Sequence, residues 1–433
     1  MDPLLAEQIE RLYTDERDRI LATLIGMLRD FDLAEETMQE AFAIALAEWS
    51  ESGMPLNPRA WIVSAARHKA LDRMRRDAAF RAKYPDLQRL AEKAGGDPAF
   101  PEMNDAITDD RLRLIFTCCH PALAAEAQVA LTLRTLCGLT TDEIARAFLV
   151  SPQTMSQRLV RVQRKIAAAG IPYSVPSADA LPARIDSVLV TVYLIFTAGY
   201  TAASGESLLK KDLCGEAIRL ARLLVGLVPQ YGDPAALLAL MLFHDSRRNA
   251  RTDDKGDIVL LDDQDRTLWN RVAIREGIEA LAAALSRGAV HSRYGIEAQI
   301  AAAHATSARP QDTDWPRIAA LYAALSRIAP SPVVELNEAV ALSMVEGPEA
   351  GLRRMDVLER SGRLDSYHLL PAAQARLFES LGRWQEAADR YRRALSLARN
   401  DPERRFLTAR LARAVTHLSW DCPEPPLLGG AAS

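Results

Sequence analysis

Three short segments of the chain carry residue types that could do covalent or metal chemistry. They are Cys118-Cys119-His120, His244-Asp245-Ser246 and the aspartate-rich stretch 253–265. Adjacent cysteines cannot readily chelate one tetrahedral zinc ion, and consecutive residues of a helix point in different directions, so they cannot form a catalytic relay. The aspartates lack the spacing and terminal Glu of an EF-hand loop. We therefore predict no catalytic residue, no metal site and no cofactor; the cysteine pair is either core or a redox sensor.

The strongest local pattern lies in residues 139–166 and consists of helix signals. Thr140 and Glu143 have the spacing of a capping box at the start of a short helix. Ser151 followed by Pro152 is typical of the start of a second helix, only a three-residue turn later. In that second helix, apolar residues recur at 155, 159, 162 and 166, which is the period of one buried helix face. The spacing predicts a helix-turn-helix.

The outer face of this second helix carries residues that suit DNA. Its first turns present amides and hydroxyls that match base edges, and its later turns present cations that match phosphates. A helical hairpin with a basic outer face is the alternative. The candidate DNA-binding residues are Gln153, Thr154, Ser156, Gln157, Arg158, Arg161, Arg164 and Lys165.

Charge is segregated along the N-terminal part, although the net charge of the chain is only −4. Residues 30–58 contain seven acids and no base, whereas residues 59–83 contain eight bases and two acids. Alternating blocks suit a protein that touches both a basic protein surface and phosphates. Solvated helix faces are the alternative explanation.

Composition and chain breaks predict an all-α protein of several domains. The 433 residues are 49% hydrophobic, 25% charged and only 6% aromatic, which excludes a wholly disordered chain. Helical periodicity is interrupted by segments rich in Pro and Gly. We predict a helical domain at 1–84, an acidic linker at 85–108, a helix-turn-helix domain at 109–170, a Pro-rich linker at 171–182, a helical-repeat domain at 183–420 and a tail at 421–433.

The long C-terminal part repeats a tetratricopeptide-type pattern. Residues 387–395 read Ala-x-x-x-Tyr-x-x-Ala-Leu, and a related frame begins at Ala217 and at Ile318. The starts are separated by roughly three and two periods of about 34 residues. Pro229 and Pro330 follow the second and third frames and would end a helix there. We predict an α-solenoid of helical hairpins, with an irregular solenoid as the alternative.

These N-terminal motifs resemble bacterial sigma factors of the extracytoplasmic-function (ECF) subgroup. Residues 32–42 with Trp49 resemble region 2.2, residues 58–62 and 65–76 resemble regions 2.3–2.4, and residues 139–166 resemble region 4.2. One departure is His68, where many members carry Asn. Residues 109–121 and the repeat extension are similar to an ECF group that carries a C-terminal helical-repeat domain.

The resemblance assigns roles to two further sets of residues. The acidic helix would bind a basic coiled coil of the polymerase β′ clamp, and region 4 would meet the β flap. The eight candidate DNA-binding residues of region 4.2 would recognise the −35 promoter element. The polymerase-binding candidates are Asp32, Glu35, Glu36, Gln39 and Glu40. The next helix would grip the −10 promoter element and capture unpaired bases, which needs cations beside a base-reading group. Those candidates are Trp61 (stacking on a base or buried in the core), Arg67, His68, Lys69, Arg73, Arg75 and Arg76.

The sequence therefore predicts a cytoplasmic, non-enzymatic sigma factor that directs core RNA polymerase to promoter DNA. Its repeat domain would regulate it through a protein or peptide partner. We expect no membrane segment or signal peptide, and five irregularly spaced cysteines favour a reducing compartment. The alternatives are a free-standing helix-turn-helix regulator with a sensing solenoid, and an enzyme or scaffold built on the repeat domain.

Overall fold

The computed structural model describes residues 3–76, 103–148, 150–200, 208–253, 256–398 and 401–420. Within these ranges the chain is helical, apart from loops, short 3₁₀ turns and one isolated bridge between Thr252 and Ile258. The all-α prediction is confirmed. Contacts divide the chain into two compact units, Met1–Ala198 and Gly199–Ser433.

A three-helix bundle opens the first unit. Asp30 accepts a hydrogen bond from the Leu33 backbone N–H at 3.0 Å, and Asn57 accepts one from Ala60 at 3.1 Å, so both side chains cap the helices that follow them. All three helices pack against one another. Their core includes Ile20, Leu24 and Met38 at the centre. The helices are α1 (Pro3–Leu28), α2 (Phe31–Ser52) and α3 (Pro58–Arg76).

The helix-turn-helix follows in the same unit. Its helices are α4 (Met103–Cys118), α5 (Ala125–Thr135), α6 (Thr141–Ala147) and α7 (Pro152–Ala168). α4 begins at Met103, inside the segment 85–108 that we expected to be linker, and it packs against α1. The rest of that predicted linker, up to residue 102, lies outside the described residues.

Helix α8 (Leu181–Tyr200) packs with the first unit as far as Ala198, although we expected the repeat domain to begin at residue 183. Its last two residues, Gly199 and Tyr200, belong to the second unit. The Thr191 hydroxyl donates to the side-chain carbonyl of Gln128 at 2.8 Å, and the Arg184 guanidinium donates to the Phe116 carbonyl. The boundary between the two packed units therefore lies at Ala198 and not at residue 183. α8 is also long and apolar enough to cross a membrane by length and composition. That is weak support for a membrane, since core helices pass the same test.

The second unit is a row of helices in which each helix packs against the next. At α17, Ala387 and Ala394 are fully buried and Tyr391 is 2% exposed, as the repeat pattern predicts. Pro229 and Pro330 each follow a helix end by two residues. The solenoid prediction is confirmed; the predicted tail at 421–433 lies outside the described residues. The helices are α9 (Leu208–Leu227), α10 (Asp233–Ser246), α11 (Arg271–Ser286), α12 (Arg293–Thr306), α13 (Trp315–Ile328), α14 (Pro332–Glu346), α15 (Pro348–Arg360), α16 (Leu369–Ser380), α17 (Trp384–Leu397) and α18 (Asp401–Trp420).

Candidate nucleic-acid interface

Local caps fix the geometry of the helix-turn-helix. The Thr140 backbone N–H donates to Glu143 Oε2 at 2.7 Å, and the Glu143 N–H donates back to Thr140 Oγ1 at 3.2 Å, which completes the predicted capping box. The Ser151 hydroxyl accepts from the Thr154 N–H at 3.1 Å and starts α7. The apolar stripe of α7 is buried as predicted, at Met155, Leu159, Val162 and Ile166. Helix α7 thus presents one fixed outer face.

The eight residues proposed for the −35 element occupy that outer face. Seven of them are exposed; Arg158 is half-buried and donates to Glu126 Oε2 at 3.4 Å. Lys165 donates to the Ala122 carbonyl, so its ammonium group has a protein partner. The exposed side chains that remain begin at the first turn of α7, which is where a recognition helix meets base edges. They are Gln153, Thr154, Ser156, Gln157, Arg161 and Arg164.

Helix α3 carries the residues proposed for the −10 element. His68 and Lys69 are exposed, and Arg67 is half-buried. The Trp61 ring makes an edge-on contact with Trp49, with centroids 5.2 Å apart, and Trp49 is 2% exposed. Trp61 therefore belongs to the rim of the bundle core while still half-exposed. Arg75 and Arg76 lie in the last turn of α3, and their side chains lie outside the described residues.

The five proposed polymerase-binding residues on α2 fall into two groups. Asp32, Glu36, Gln39 and Glu40 are exposed, and Glu36 forms an ion pair with Arg73, one of the proposed −10 cations. The Glu35 side chain, in contrast, is only 14% exposed. The structure therefore covers Glu35 and leaves the other four residues exposed.

The helix-turn-helix domain contacts Glu35 and Asp32. The carboxylate of Glu35 lies 3.0 Å from Arg134 Nη2 on α5 and 3.7 Å from Arg17 Nη2 on α1. Asp32 accepts a hydrogen bond from Gln163 Nε2 on α7 at 3.0 Å. These contacts join α1 and α2 to the helix-turn-helix, and sequence reasoning did not find them.

Two further contacts tighten the same junction. The buried Tyr173 hydroxyl donates to the Ala22 carbonyl of α1 at 2.6 Å, and the Arg29 guanidinium lies 5.2 Å from the Tyr173 ring centroid. Arg17 reaches the Thr135 carbonyl at 3.4 Å. Gly138, with φ of +73°, passes beside Arg17; a Cβ there would lie 3.1 Å from the guanidinium. We call this set of contacts, centred on Glu35, Asp32 and Tyr173, the junction.

Among the described residues of the segments with chemical residue types, the cysteine pair is buried, and His244, Asp245 and Ser246 each contact other partners. Cys118 and Cys119 are 0% and 1% exposed, and burial raises the pKa of both thiols, that of Cys119 to about 11. Asp245 pairs with Arg248, and the Ser246 hydroxyl donates to the Phe243 carbonyl, so neither serves a relay with His244. In the described part of the chain, no three His, Cys, Asp or Glu side chains are placed to hold a metal ion.

Comparison with known proteins identifies both halves of the first unit. A family model described as Sigma-70 region 2 matches residues 12–80, and one described as Sigma-70, region 4 matches residues 113–166. A third, described as a family of unknown function (DUF6596), matches residues 184–285. It spans α8 and the start of the second unit.

Two relatives and one solved structure add to this. The chain is 41% identical over 408 residues to "Uncharacterized protein R00370" of Rhizobium meliloti (strain 1021), covering 93% of this chain and 95% of that protein. It is 27% identical over 172 residues to "ECF RNA polymerase sigma factor SigK" of Mycobacterium sp. (strain KMS), covering 37% of this chain and 84% of that protein. The TPR domain of P58(IPK) matches over 90% of this chain and 99% of that chain at 12% identity, with a TM-score of 0.27 that supports no conclusion.

Proposed function

The chain belongs to the ECF sigma factors with a C-terminal extension, and from this we propose that it binds core RNA polymerase and directs promoter recognition and melting. The observation that carries the proposal is the exposed outer face of α7 together with the exposed cations of α3. In this proposal α7 reads the −35 element, α3 captures the −10 element, and the acids of α2 bind the β′ clamp. Region 4 binds the β flap.

The proposed contacts require the first unit to open. The two promoter elements lie about 25 base pairs apart, which is about 85 Å of B-form DNA. A compact unit of this length is about 40 Å across. Helices α3 and α7 both contact α2, through their packing and through Gln163 respectively, so they cannot reach both elements in this arrangement.

We place the closed arrangement before polymerase binding. Glu35 and Asp32 are proposed polymerase contacts, and the junction occupies both. Polymerase would compete with Arg134 and Gln163 for these two acids. Separating the two regions frees Asp32 and Glu35 for the clamp and lets α7 move to the −35 element. The free chain therefore binds polymerase with less than its full affinity, because part of the binding energy is spent on opening.

The second unit supports a regulatory role through a protein or peptide partner. A groove of about 280 Å³ lies among α14, α16 and α18, lined by apolar side chains such as Leu336, Val340 and Phe406. Arg376 and Arg410 stand among them. A groove with apolar walls and few charged groups suits a side chain of a bound segment.

Run-off transcription with purified core polymerase tests the sigma-factor proposal. The wild-type chain should direct transcription from a promoter selected out of a randomised library. Glu40→Lys should weaken polymerase binding and output, because it reverses a charge on the exposed part of the proposed surface. Glu48→Lys, two turns further along α2 and equally exposed, is the matched control. A chain that binds duplex operators but never activates core polymerase would instead be a free-standing regulator.

Truncation tests the role of the second unit. Cutting after Gly170 removes Tyr173 and α8, which hold the first unit together, so it perturbs both units. Cutting after Ala198 removes only the second unit. We expect promoter output of the 1–198 chain to differ strongly from that of the full chain, in cells and with purified polymerase. Equal promoter output from the two chains would show that the second unit does not regulate transcription.

A further inference from the structure

Two arginines of the second unit lie side by side without an acidic partner. Arg247 caps the end of α10, and Arg251 follows one short turn later. Both are half-buried. Among the described residues, no carboxylate lies within 4.0 Å of either guanidinium, whereas the adjacent Arg248 is paired with Asp245. Among the described residues, no carboxylate therefore counters these two cations, and half-buried cations without a counter-charge are costly.

Tyr200 holds the two guanidinium groups together. Arg251 stacks on the Tyr200 ring, with Cζ 3.6 Å from its centroid, and donates from Nη1 to the Tyr200 carbonyl at 2.9 Å. Arg247 Nη2 donates to the Tyr200 hydroxyl at 3.2 Å. Each guanidinium has five N–H donors, so most of them remain for another partner. Neither side chain has a buried nitrogen that lacks a hydrogen-bond partner.

The histidines beside them add no negative charge and no additional cation. His244 lies 5.4 Å from the Tyr200 ring, centroid to centroid, and its Nδ1 lies 3.4 Å from Arg247 Nη2. Burial, followed by the charges of Arg247 and Arg251, lowers the pKa of His244 to about 3. Burial and Arg247 likewise lower the pKa of His304 to about 4. Both imidazoles are neutral at pH 7, so His244 Nδ1 can accept a hydrogen bond from Arg247 Nη2 and hold that side chain in place.

The nearby acids are committed to other cations. Asp245 accepts from Arg248 Nε at 2.9 Å. Asp262, whose charge reaches His304, accepts from Arg376 Nη2 at 2.6 Å. Neither carboxylate balances Arg247 or Arg251. The positive charge at this place is therefore fixed in position by an aromatic ring and a neutral imidazole.

We propose that Arg247, Arg251 and Tyr200 form a binding site for the carboxylate or phosphate group of a small molecule. Guanidinium forks match the oxygens of both groups in two parallel hydrogen bonds, and such charge-assisted bonds are stronger than neutral ones. The Tyr200 ring already holds Arg251 flat, so little side-chain entropy is lost when the anion arrives. The site shares no residue with the proposed DNA- and polymerase-binding surfaces and does not depend on the proposed function.

Calorimetric titration of the full chain tests the site. Inorganic phosphate and acetate are titrated separately, each against sodium chloride at matched ionic strength. We expect saturable binding of at least one of them, and the stronger binder identifies the class of ligand. Arg247→Gln and Arg251→Gln should each weaken binding about tenfold or more. Arg275→Gln, at an exposed arginine of α11 that is not part of the site, is the matched control and should stay within about twofold of the wild type.

Two results would overturn the site. One is a wild-type chain that shows no saturable heat with either anion, and the other is a set of three variants that bind equally well, which would mark an adventitious ion only. Circular dichroism checks that each variant folds. Arg251→Lys keeps the charge but loses the fork and should bind between the wild type and Arg251→Gln. If Arg251→Gln does not fold, the wild-type titration and Arg251→Lys still decide.

Discussion

Replacing Arg134 with alanine should open the first unit and tighten its binding to core RNA polymerase. The Arg134 guanidinium lies 3.0 Å from the Glu35 carboxylate, and this ion pair joins α5 to α2 across the junction. Arg134 is not among the residues proposed to touch polymerase or DNA. Its loss therefore weakens the closed state. It also removes the hydrogen bond from Arg134 Nη1 to the Leu139 carbonyl at 3.3 Å, which lies within the helix-turn-helix domain and is not a proposed contact with polymerase or DNA.

The magnitude follows from the distance and the exposure of the pair. Two charges at this separation attract by about 5 kcal/mol at an effective dielectric constant of about 20. The side chains are 27% and 14% exposed, so the cost of removing them from water cancels much of this attraction. Arg17 remains 3.7 Å from Glu35 and keeps part of the stabilisation. We expect a net loss of about 1–2 kcal/mol, which is a factor of about 5–30 in the closed-to-open ratio.

Two measurements follow this ratio. Energy transfer between one dye at the exposed end of α2 and another at the first turn of α7 reports the separation of the two regions. Competition against labelled wild-type protein for core polymerase, at fixed salt, reports affinity. Arg134→Ala should lower the transfer and tighten binding by up to the same factor, because the closed state no longer reduces the competent fraction. Arg146→Ala, whose side chain bonds only to its own helix, is the control.

Tyr173→Phe is an independent check on the same reasoning. It removes one buried hydrogen bond across the junction, from the Tyr173 hydroxyl to the Ala22 carbonyl, without touching a charge. The closed state should lose about 0.5–1.5 kcal/mol of stability, which lowers the closed-to-open ratio by a factor of about 2–10. As in Arg134→Ala, the energy transfer should fall and the binding to core polymerase should tighten. The reasoning is refuted if both variants fold like the wild type and neither changes the dye separation or the affinity for polymerase.

Three other outcomes are expected. Gln157→Ala should change the base preference in a randomised −35 selection and lower the binding free energy by about 1–3 kcal/mol at the base that Gln157 contacts, whereas Arg161→Ala should weaken binding to all promoters alike. An unchanged consensus for Gln157→Ala would contradict the assignment of Gln157 to base recognition. His68→Asn should shift the −10 preference in a matching selection while polymerase binding stays the same. Burial raises the pKa of Cys119 from 9.0 to about 11, so the stabilising contribution of the protonated thiol is present below pH 9 and is lost toward pH 11. The free energy of unfolding should therefore fall between pH 9 and pH 11, and it should fall less steeply in Cys119→Ala.

Features set by neighbouring residues could be predicted from the sequence. The capping box of Thr140 and Glu143 and the cap at Ser151 involve partners three residues apart, so the pattern itself states the geometry. The buried face of α7 follows from a period of 3.6 residues in the same way. The fully buried alanines of α17 show that repeat spacing also carries long-range information, since every hairpin packs against its neighbour.

Features set by packing between distant residues could not be predicted. Glu35 pairs with Arg134 only because α5 lies against the N-terminal bundle. No local sequence pattern indicates which arginine of the chain will face Glu35. α8 has the apolar composition of a repeat helix, yet Thr191 and Gln128 fix it to the first unit. The sequence context of Trp61 fits both stacking on DNA and core packing. Its ring contacts Trp49 and is also partly exposed, so the structure is compatible with both roles.

One further contact connects the two proposed surfaces of the N-terminal bundle. Arg73 of α3 pairs with Glu36 of α2 and lies 3.8 Å from Glu40, so a proposed −10 cation is held by two proposed polymerase contacts. About half of each side chain is exposed, so pairs of this kind contribute only about 0–1 kcal/mol and exchange readily. A basic polymerase surface that docks on Glu36 and Glu40 would take over both carboxylates and release Arg73. Its guanidinium would then bind a DNA phosphate without competition from these carboxylates, so that α3 would gain affinity for DNA in the complex, by at most a factor of about 5.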